Sequence, residues 1–465
     1  MLNFQDLSQH SSTRRSFLQV GSLALGGGLA LPQMLQAQAA ANALGKSLKD
    51  KSVVFLFMHG GPSQLETFDP KMTAPSEIRS VTGEAETSLP GVTYGGTLTK
   101  LAQQAHRCAV VRSFSTGDGN HDIKPIVGRE SLGANLGSLY ARIAGATRPD
   151  TGIPTNIALL PRAVDDAAQE VTTQFGKFHA TGPVGPAYAP FMPGAEGQLQ
   201  ADMTMNMAPD RLDDRRVLLD QLDQWKRVLD HTGGNGLSKF QEQAFETIAG
   251  GVSEAFDLSQ EDPRVLARYD TSSLVPPGSI RKVWNNHKNY RDHGQSIGKL
   301  MLMARRLCER GCGFVTVTTN FVWDMHADLN NATMKEGMRY VGRPFDHAVS
   351  AFIEDTHQRG LQDKILLVCC GEMGRTPKLN AKGGRDHWGK LAPLLLSGGG
   401  LQMGQVIGES TRDAGEAASD AVGSSHLVHT IMNTLFDITQ VRLLDNLPRE
   451  VARVVTAGDP IPGLH

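Results

Sequence analysis

A chain of 465 residues can bury a large core in one or two domains. Its 46 Lys and Arg nearly balance 48 Asp and Glu, and a net charge of -2 removes the electrostatic case for nucleic acid or an anionic surface as partner. Aromatic residues at 6% argue against a base-stacking platform, and 50 glycines promise many tight turns.

The first segment reads as an address rather than as fold. "SSTRRSFLQVGSLALGGGLALPQMLQAQAA" sets paired Arg14 and Arg15 before a glycine-rich, weakly apolar stretch, then Ala37-Gln38-Ala39, a small-x-small cleavage site. This order predicts a twin-arginine signal over residues 1–39, with the twin-arginine export machinery as a partner and the periplasm as destination. The apolar stretch at 20–31 is too short and glycine-rich to span a bilayer well, and no later run reaches about 18 apolar residues. The expected mature chain starts at residue 40 and has no transmembrane segment.

From there strands and helices alternate. Apolar runs at 53–58, 109–111, 153–161, 313–319 and 364–370 predict strands, and "APLLLSGGG" predicts another. Helical spacing appears before residue 109 and at 132–144, 293–311, 341–361 and 424–438. The Gly- and Pro-rich stretch from 178 opens a segment, to about 290, read as a helical insertion; its longest helix is expected at 209–234. Within it, "NHKNYRDHG" reads as solvent-exposed, with His287, Arg291 and His293. Alternation predicts an α/β fold: a mostly parallel central sheet with helices on both faces. Five cysteines, Cys108, Cys308, Cys312, Cys369 and Cys370, are an odd set that argues against a disulfide framework and reads as buried thiols.

Chemistry is expected beyond the carboxyl ends of the strands, where such sheets bind ligands. The first strand runs into His59-Gly60-Gly61, with Glu66 and Asp69 behind; the second into Ser115, Thr116, Asp118 and His121; the third into Asp324, His326 and Asp328; the fourth into Glu372 and Arg375, followed by Asp386 and His387. Imidazoles and carboxylates in one place suit a divalent metal such as zinc or manganese, and calcium would want more oxygen. The expected ligands are His59, His121, Asp324, His326, Glu372, Asp386 and His387. Ser115 or Thr116 is the candidate nucleophile, and Arg375 the candidate oxyanion clamp. Plain alternatives stand beside these: a turn at His59, a salt bridge between Glu372 and Arg375, an orienting role for Asp386. His426 and His429 read as cap or core residues. The chain has no G-x-S-x-G, G-x-G-x-x-G, P-loop or C-x-x-C motif, so lipase-type, dinucleotide, P-loop and thioredoxin-like chemistry are unsupported.

The stretches "HGGPSQLETFDPK", "WDMHAD", "GLQDKILLVCCGEMGRTP", "GGRDHWG" and "LLLSGGG", with the twin-arginine signal, resemble the exported bacterial family DUF1501, a domain of unknown function. That family is similar to the alkaline phosphatase and sulfatase superfamily. The resemblance implies a metal site at the carboxyl edge and hydrolysis of phosphate or sulfate esters, with a small anionic ester or a sulfated or phosphorylated glycan as ligand. The chain also departs from the superfamily pattern. Residues 59–61 hold no early Asp, Asp324 and His326 are spaced more tightly than usual, and Gly371-Glu372 stands where an Asp-His pair is expected. His387 matches the final His, no local motif fixes the nucleophile, and there is no sulfatase-type C-x-P-x-R. Two functions follow: a metal-dependent ester hydrolase, or a non-catalytic exported binding or structural protein with a degenerate site.

Overall fold

A computed structural model describes residues 47–148, 151–194, 253–445 and 447–464. The signal expected at 1–39, the start of the mature chain at 40, the helix at 209–234 and most of the insertion lie outside them.

The core is a seven-stranded sheet. Its strands are β1 (Ser52–Phe57), β2 (Ala109–Val111), β3 (Asn156–Leu159), β4 (Phe314–Thr318), β5 (Ile365–Cys370), β6 (Leu394–Gly398) and β7 (Gln405–Ile407), in the spatial order β7-β2-β6-β5-β1-β4-β3. β1 lies central and pairs in parallel with both β4 and β5. β6 alone runs antiparallel, between β2 and β5.

Period-two alternation splits each strand between two cores. Val54 and Leu56 join one cluster; Val53, Phe55 and Phe57 join the other. Two long helices, α3 (His287–Glu309) and α4 (Met334–Gln358), cover the first face. The second lies under α1 (Leu136–Ala144), α5 (Ser424–Leu435) and α6 (Arg449–Thr456). A shorter helix, α2 (Pro263–Tyr269), packs beside α3. The five cysteines are free and buried, and the adjacent pair on β5 divides between the two cores, Cys369 in the first and Cys370 in the second. Among the described residues no helix is long and apolar enough to cross a membrane.

Two helices outrun their sequence expectation. α4 starts at Met334, capped by the Thr333 side chain on Glu336 N, and continues through Pro344. Burial of one side against α3 holds it together where local propensity predicts a break. α3 begins at His287, so "NHKNYRDHG" lies mostly in its first turns: Lys288 is exposed and His287 and Arg291 are half-buried, as expected, but Tyr290, Asp292 and His293 are buried. His293, Ile297, Leu300, Met301 and Ala304 share its buried side, and His293 is 1% exposed.

The register positions the site. Phe57 at the end of β1 pairs with Thr318 and Cys370 at the ends of β4 and β5, so three loops leave from one edge. Antiparallel β6 enters at that edge, where Leu394 pairs with Cys370 and Val111. The segment before β6, which holds His387, therefore arrives beside the loops that leave.

Candidate metal centre

The turn after β1 is a bracket for the other loops. Gly60 N–H donates to Glu372 Oε1 at 2.9 Å, and the His59 carbonyl accepts from Trp323 N–H at 3.1 Å. The Gly60 and Gly61 carbonyls accept from the Arg375 guanidinium, Gly61 at 2.7 Å. Gly60 has φ +113°, and a Cβ there would lie 2.6 Å from Asp324 N, so only glycine admits the β4 loop this close. That loop is itself in an uncommon conformation on both sides of Asp324, with Phe321 and Ala327 at positive φ.

Three donor atoms converge above the bracket. His121 Nε2 and His387 Nε2 are 3.0 Å apart, and Asp324 Oδ1 lies 3.5 Å from the first and 3.2 Å from the second. Ligands of a tetrahedral zinc, at 2.0–2.1 Å from the ion, are about 3.3 Å from each other. The triangle has that size, and two imidazoles with one carboxylate make a suitable donor set. Their lone pairs face one another, an arrangement that needs a proton or a cation among them.

Each member is held from behind. His121 Nδ1–H donates to the fully buried Glu372 at 2.9 Å, which leaves the Nε2 lone pair facing the triangle. Asp324 is gripped by Arg375 Nη2 at 2.6 Å, and its other oxygen meets His326 Nε2 at 3.0 Å and Asn331 Nδ2 at 2.8 Å. Burial works to raise the Asp324 carboxyl, but Arg375 and the three histidines outweigh it and hold it far below the usual range. Burial likewise opposes charge on His121, but Asp324 and Glu372 prevail and raise it. The Asp324 carboxylate raises His326 against the opposing effect of burial. Aromatic rings wall the site: Phe321 sits edge-on to His121 at 4.6 Å and stacks on Phe175 at 4.5 Å.

Of seven expected ligands, the structure brings His121, Asp324 and His387 into the triangle. Glu372 and His326 stand just outside it, against His121 and against the second Asp324 oxygen. His59 lies below, its ring among Phe57, Phe178 and Phe321; burial lowers its pKa to about 4, and its Nε2 has no partner among the described residues. Asp386 points away, exposed, and accepts from Asn380 Nδ2 at 3.0 Å. His387 lies in a two-residue strand, so its sequence neighbour faces the other side.

Arg375 departs from its expected role. It is fully buried, and all three of its nitrogens are spent on Asp324 and on the carbonyls of Gly60, Gly61 and Arg385. Those carbonyls pull the guanidinium under the site, so it holds Asp324 rather than facing an open oxyanion. Ser115 Oγ is likewise occupied, donating to Gly389 O at 3.1 Å, while Thr116 Oγ1 is buried without a partner among the described residues. Asp118 pairs with Lys124 at 2.7 Å. Glu66 is a structural anchor, held by Ser80, Thr82 and the buried Arg385; Asp69 bonds Ser410. His426 Nδ1 caps α5 by accepting from Gly423 N–H at 3.0 Å. Sequence reasoning missed Asn331, Phe175 and Phe321. Asn331 alone left a signal, as an amide in the same loop as Asp324 and His326.

Residues 50–459 match a family described as "Protein of unknown function (DUF1501)". The chain belongs to the DUF1501 family. No curated protein matches it in sequence. Among solved structures, this DUF1501 chain is similar to the sulfatase PsFucS1 from Pseudoalteromonas sp., at 12% identity over 92% of this chain and 77% of that one, with a TM-score of 0.37. It is similar to the lipoteichoic acid synthase LtaP from Listeria monocytogenes, at 8% identity over 86% and 77%, with a TM-score of 0.33. The alkaline phosphatase of the Antarctic bacterium TAB5 matches at 11% identity over 84% and 98%, with a TM-score of 0.27. At such identities and scores these likenesses assign this chain no activity.

Proposed function

We propose that this DUF1501 protein is an exported, metal-dependent hydrolase of phosphate or sulfate esters. One observation carries the reading: the His121–Asp324–His387 triangle, sized for one ion and open to solvent through His387, whose side chain is 36% exposed. Three protein ligands with an open position suit a catalytic rather than a structural site. A divalent zinc or manganese held there would polarise an ester oxygen and lower the pKa of water.

The chain's own residues have distinct tasks in this reading. His121, Asp324 and His387 hold the ion. Glu372 keeps His121 in its ligating tautomer, and Arg375 keeps Asp324 anionic and fixed. His326, 24% exposed on the second Asp324 oxygen, is placed to exchange a proton with solvent. Thr116 is the free hydroxyl of the two candidates, since Ser115 is committed to Gly389. Export rests on Arg14 and Arg15 and the stretch that follows them, with the periplasm as the destination.

Metal analysis of the purified full chain tests the core of this reading. We expect about one equivalent of zinc or manganese, bound by wild type and lost in His121→Ala and His387→Ala. Folded wild type that holds no stoichiometric metal after reloading would overturn it. A second reading, an exported binding protein, is favoured by the inward commitment of Arg375; metal binding without turnover of any aryl phosphate or sulfate would select it.

A further inference from the structure

A second polar feature lies apart from the triangle. A cavity of about 550 Å³ is lined by Lys282, His287, Lys288 and Arg291, with Gln169 and Ile280, and no carboxylate is among its lining residues. Its charges sit where a helix tolerates them least. α3 begins at His287, has no side-chain cap and carries no acid in its first turn. The N-terminus of a 23-residue helix already bears partial positive charge, and Lys288 adds to it, while Arg291 is ion-paired with the buried Asp292. An anion in the cavity would relieve that conflict.

Part of the wall is built rather than loose. Fully buried Asp292 accepts from Gln169 N–H at 2.7 Å and from Arg291 Nε at 2.7 Å, and Arg291 Nη2 donates to Ala167 O at 2.7 Å. These bonds fix the guanidinium plane and leave Nη1 without a protein acceptor among the described residues. Lys282 and Lys288 are exposed.

Both walls lead to the metal centre. Asn286, next to His287, donates through Nδ2 to Asn331 Oδ1 at 2.9 Å, and Asn331 donates to Asp324. On the other side, Asn320 holds the Gln169 and Glu170 carbonyls, and the chain runs on to Phe175 against His121. Five residues lie between Gln169 and Phe175, a reach of at most about 22 Å. Three large apolar side chains are markedly exposed among the described residues, Val283, Leu329 and Leu443. The first two lie on segments that meet here, where Asn285 N–H donates to Leu329 O at 3.1 Å.

We propose that this cavity is a second anion subsite, which binds a sulfate or phosphate of the substrate remote from the one being cleaved. The substrate class is then a polyanionic chain rather than a small monoester. The proposal rests on the hydrolase reading for its meaning, but the subsite itself needs no metal, so the two fail separately.

The test uses the full chain treated with chelator. Binding of a heparin-derived hexasaccharide and of a short inorganic polyphosphate is measured by calorimetry at near-physiological salt. We expect at least one probe to bind, and the preferred probe to tell sulfate from phosphate as the natural group. In Lys282→Glu/Lys288→Glu that affinity should fall about tenfold or more, while metal content stays at the wild-type level. A control of equal charge change on other surfaces, Lys299→Glu/Arg453→Glu, should stay within about twofold. Failure of both probes to bind, or equal losses in the two double variants, would overturn the subsite. Loss of the hydrolase reading would show instead as absent metal or absent turnover with polyanion binding intact.

Discussion

Two buried arginines organise two charge clusters in this molecule, and they are built differently. Arg305, 2% exposed on α3, meets Glu261 at 2.8 Å, Glu309 at 2.5 Å and Asp355 at 3.0 Å, while Arg306 adds to Glu261 and Arg359 to Asp355. With Arg268 also 3.8 Å from Asp355, four guanidinium groups face three carboxylates, and each carboxylate is paired with arginine. At the sheet edge Arg375 is the guanidinium in contact with Asp324, while among the described residues Glu372 meets a backbone N–H and His121 alone, and three imidazoles crowd the same space. That cluster sets one arginine and three imidazoles against two carboxylates. The comparison separates charge used to tie a fold from charge arranged to receive something.

Breaking the edge cluster should have the largest effect. Asp324→Ala is expected to abolish metal binding and to cost about 3–5 kcal/mol, because Arg375 is left buried and unpaired. Thermal unfolding and metal analysis read the two losses, and Asp324→Asn, which keeps the shape, should lose the metal while remaining folded. Retention of stoichiometric metal in that variant would remove the edge cluster's special status. Arg305→Ala should cost a similar amount, about 3–5 kcal/mol, with metal content unchanged. A metal loss there would mean that the two clusters are coupled.

A third buried group titrates outside both clusters. His293 bonds Thr319 Oγ1 at 2.8 Å and Val341 O at 3.1 Å, and burial lowers its pKa to about 4. The unfolded chain, with a value near 6.5, therefore takes up the proton first. Stability is full above about pH 6.5 and is lost as pH falls toward 4, by about 3 kcal/mol in all. Denaturant titrations across that window should show a shallower fall in His293→Gln.

The smaller effects sharpen the division. Glu372→Gln should weaken metal affinity about 10–100-fold, the usual cost of losing a carboxylate behind a ligating histidine. Asp386→Ala should leave stability within about 0.5 kcal/mol and metal affinity unchanged, since its side chain faces away. A large loss in that variant would show that Asp386 swings into the site.

Much of the fold was legible because its signals are local. Continuous apolar runs such as Ile365–Cys370 announce a strand buried on both faces, and helical spacing announces α1 and α5. The starts of α3 and α4 were not legible, because packing extends them back to His287 and Met334, ahead of the 293 and 341 that helical spacing marks. The clustering of His and acids at strand ends was also visible, since parallel strands deliver their loops to one edge.

The sequence by itself determined the alternation of strands and helices, the edge where polar residues gather and the composition of the donor set, all of which depend on neighbours in the chain. Only the tertiary structure decided the division of labour. Antiparallel β6 delivers His387, the facing carbonyls of Gly60 and Gly61 draw Arg375 beneath Asp324, and aromatic packing takes the His59 ring away from the triangle. Such choices turn on which atoms meet across separations of up to 315 residues, and hydrogen-bond satisfaction among distant groups leaves no periodic trace in the chain.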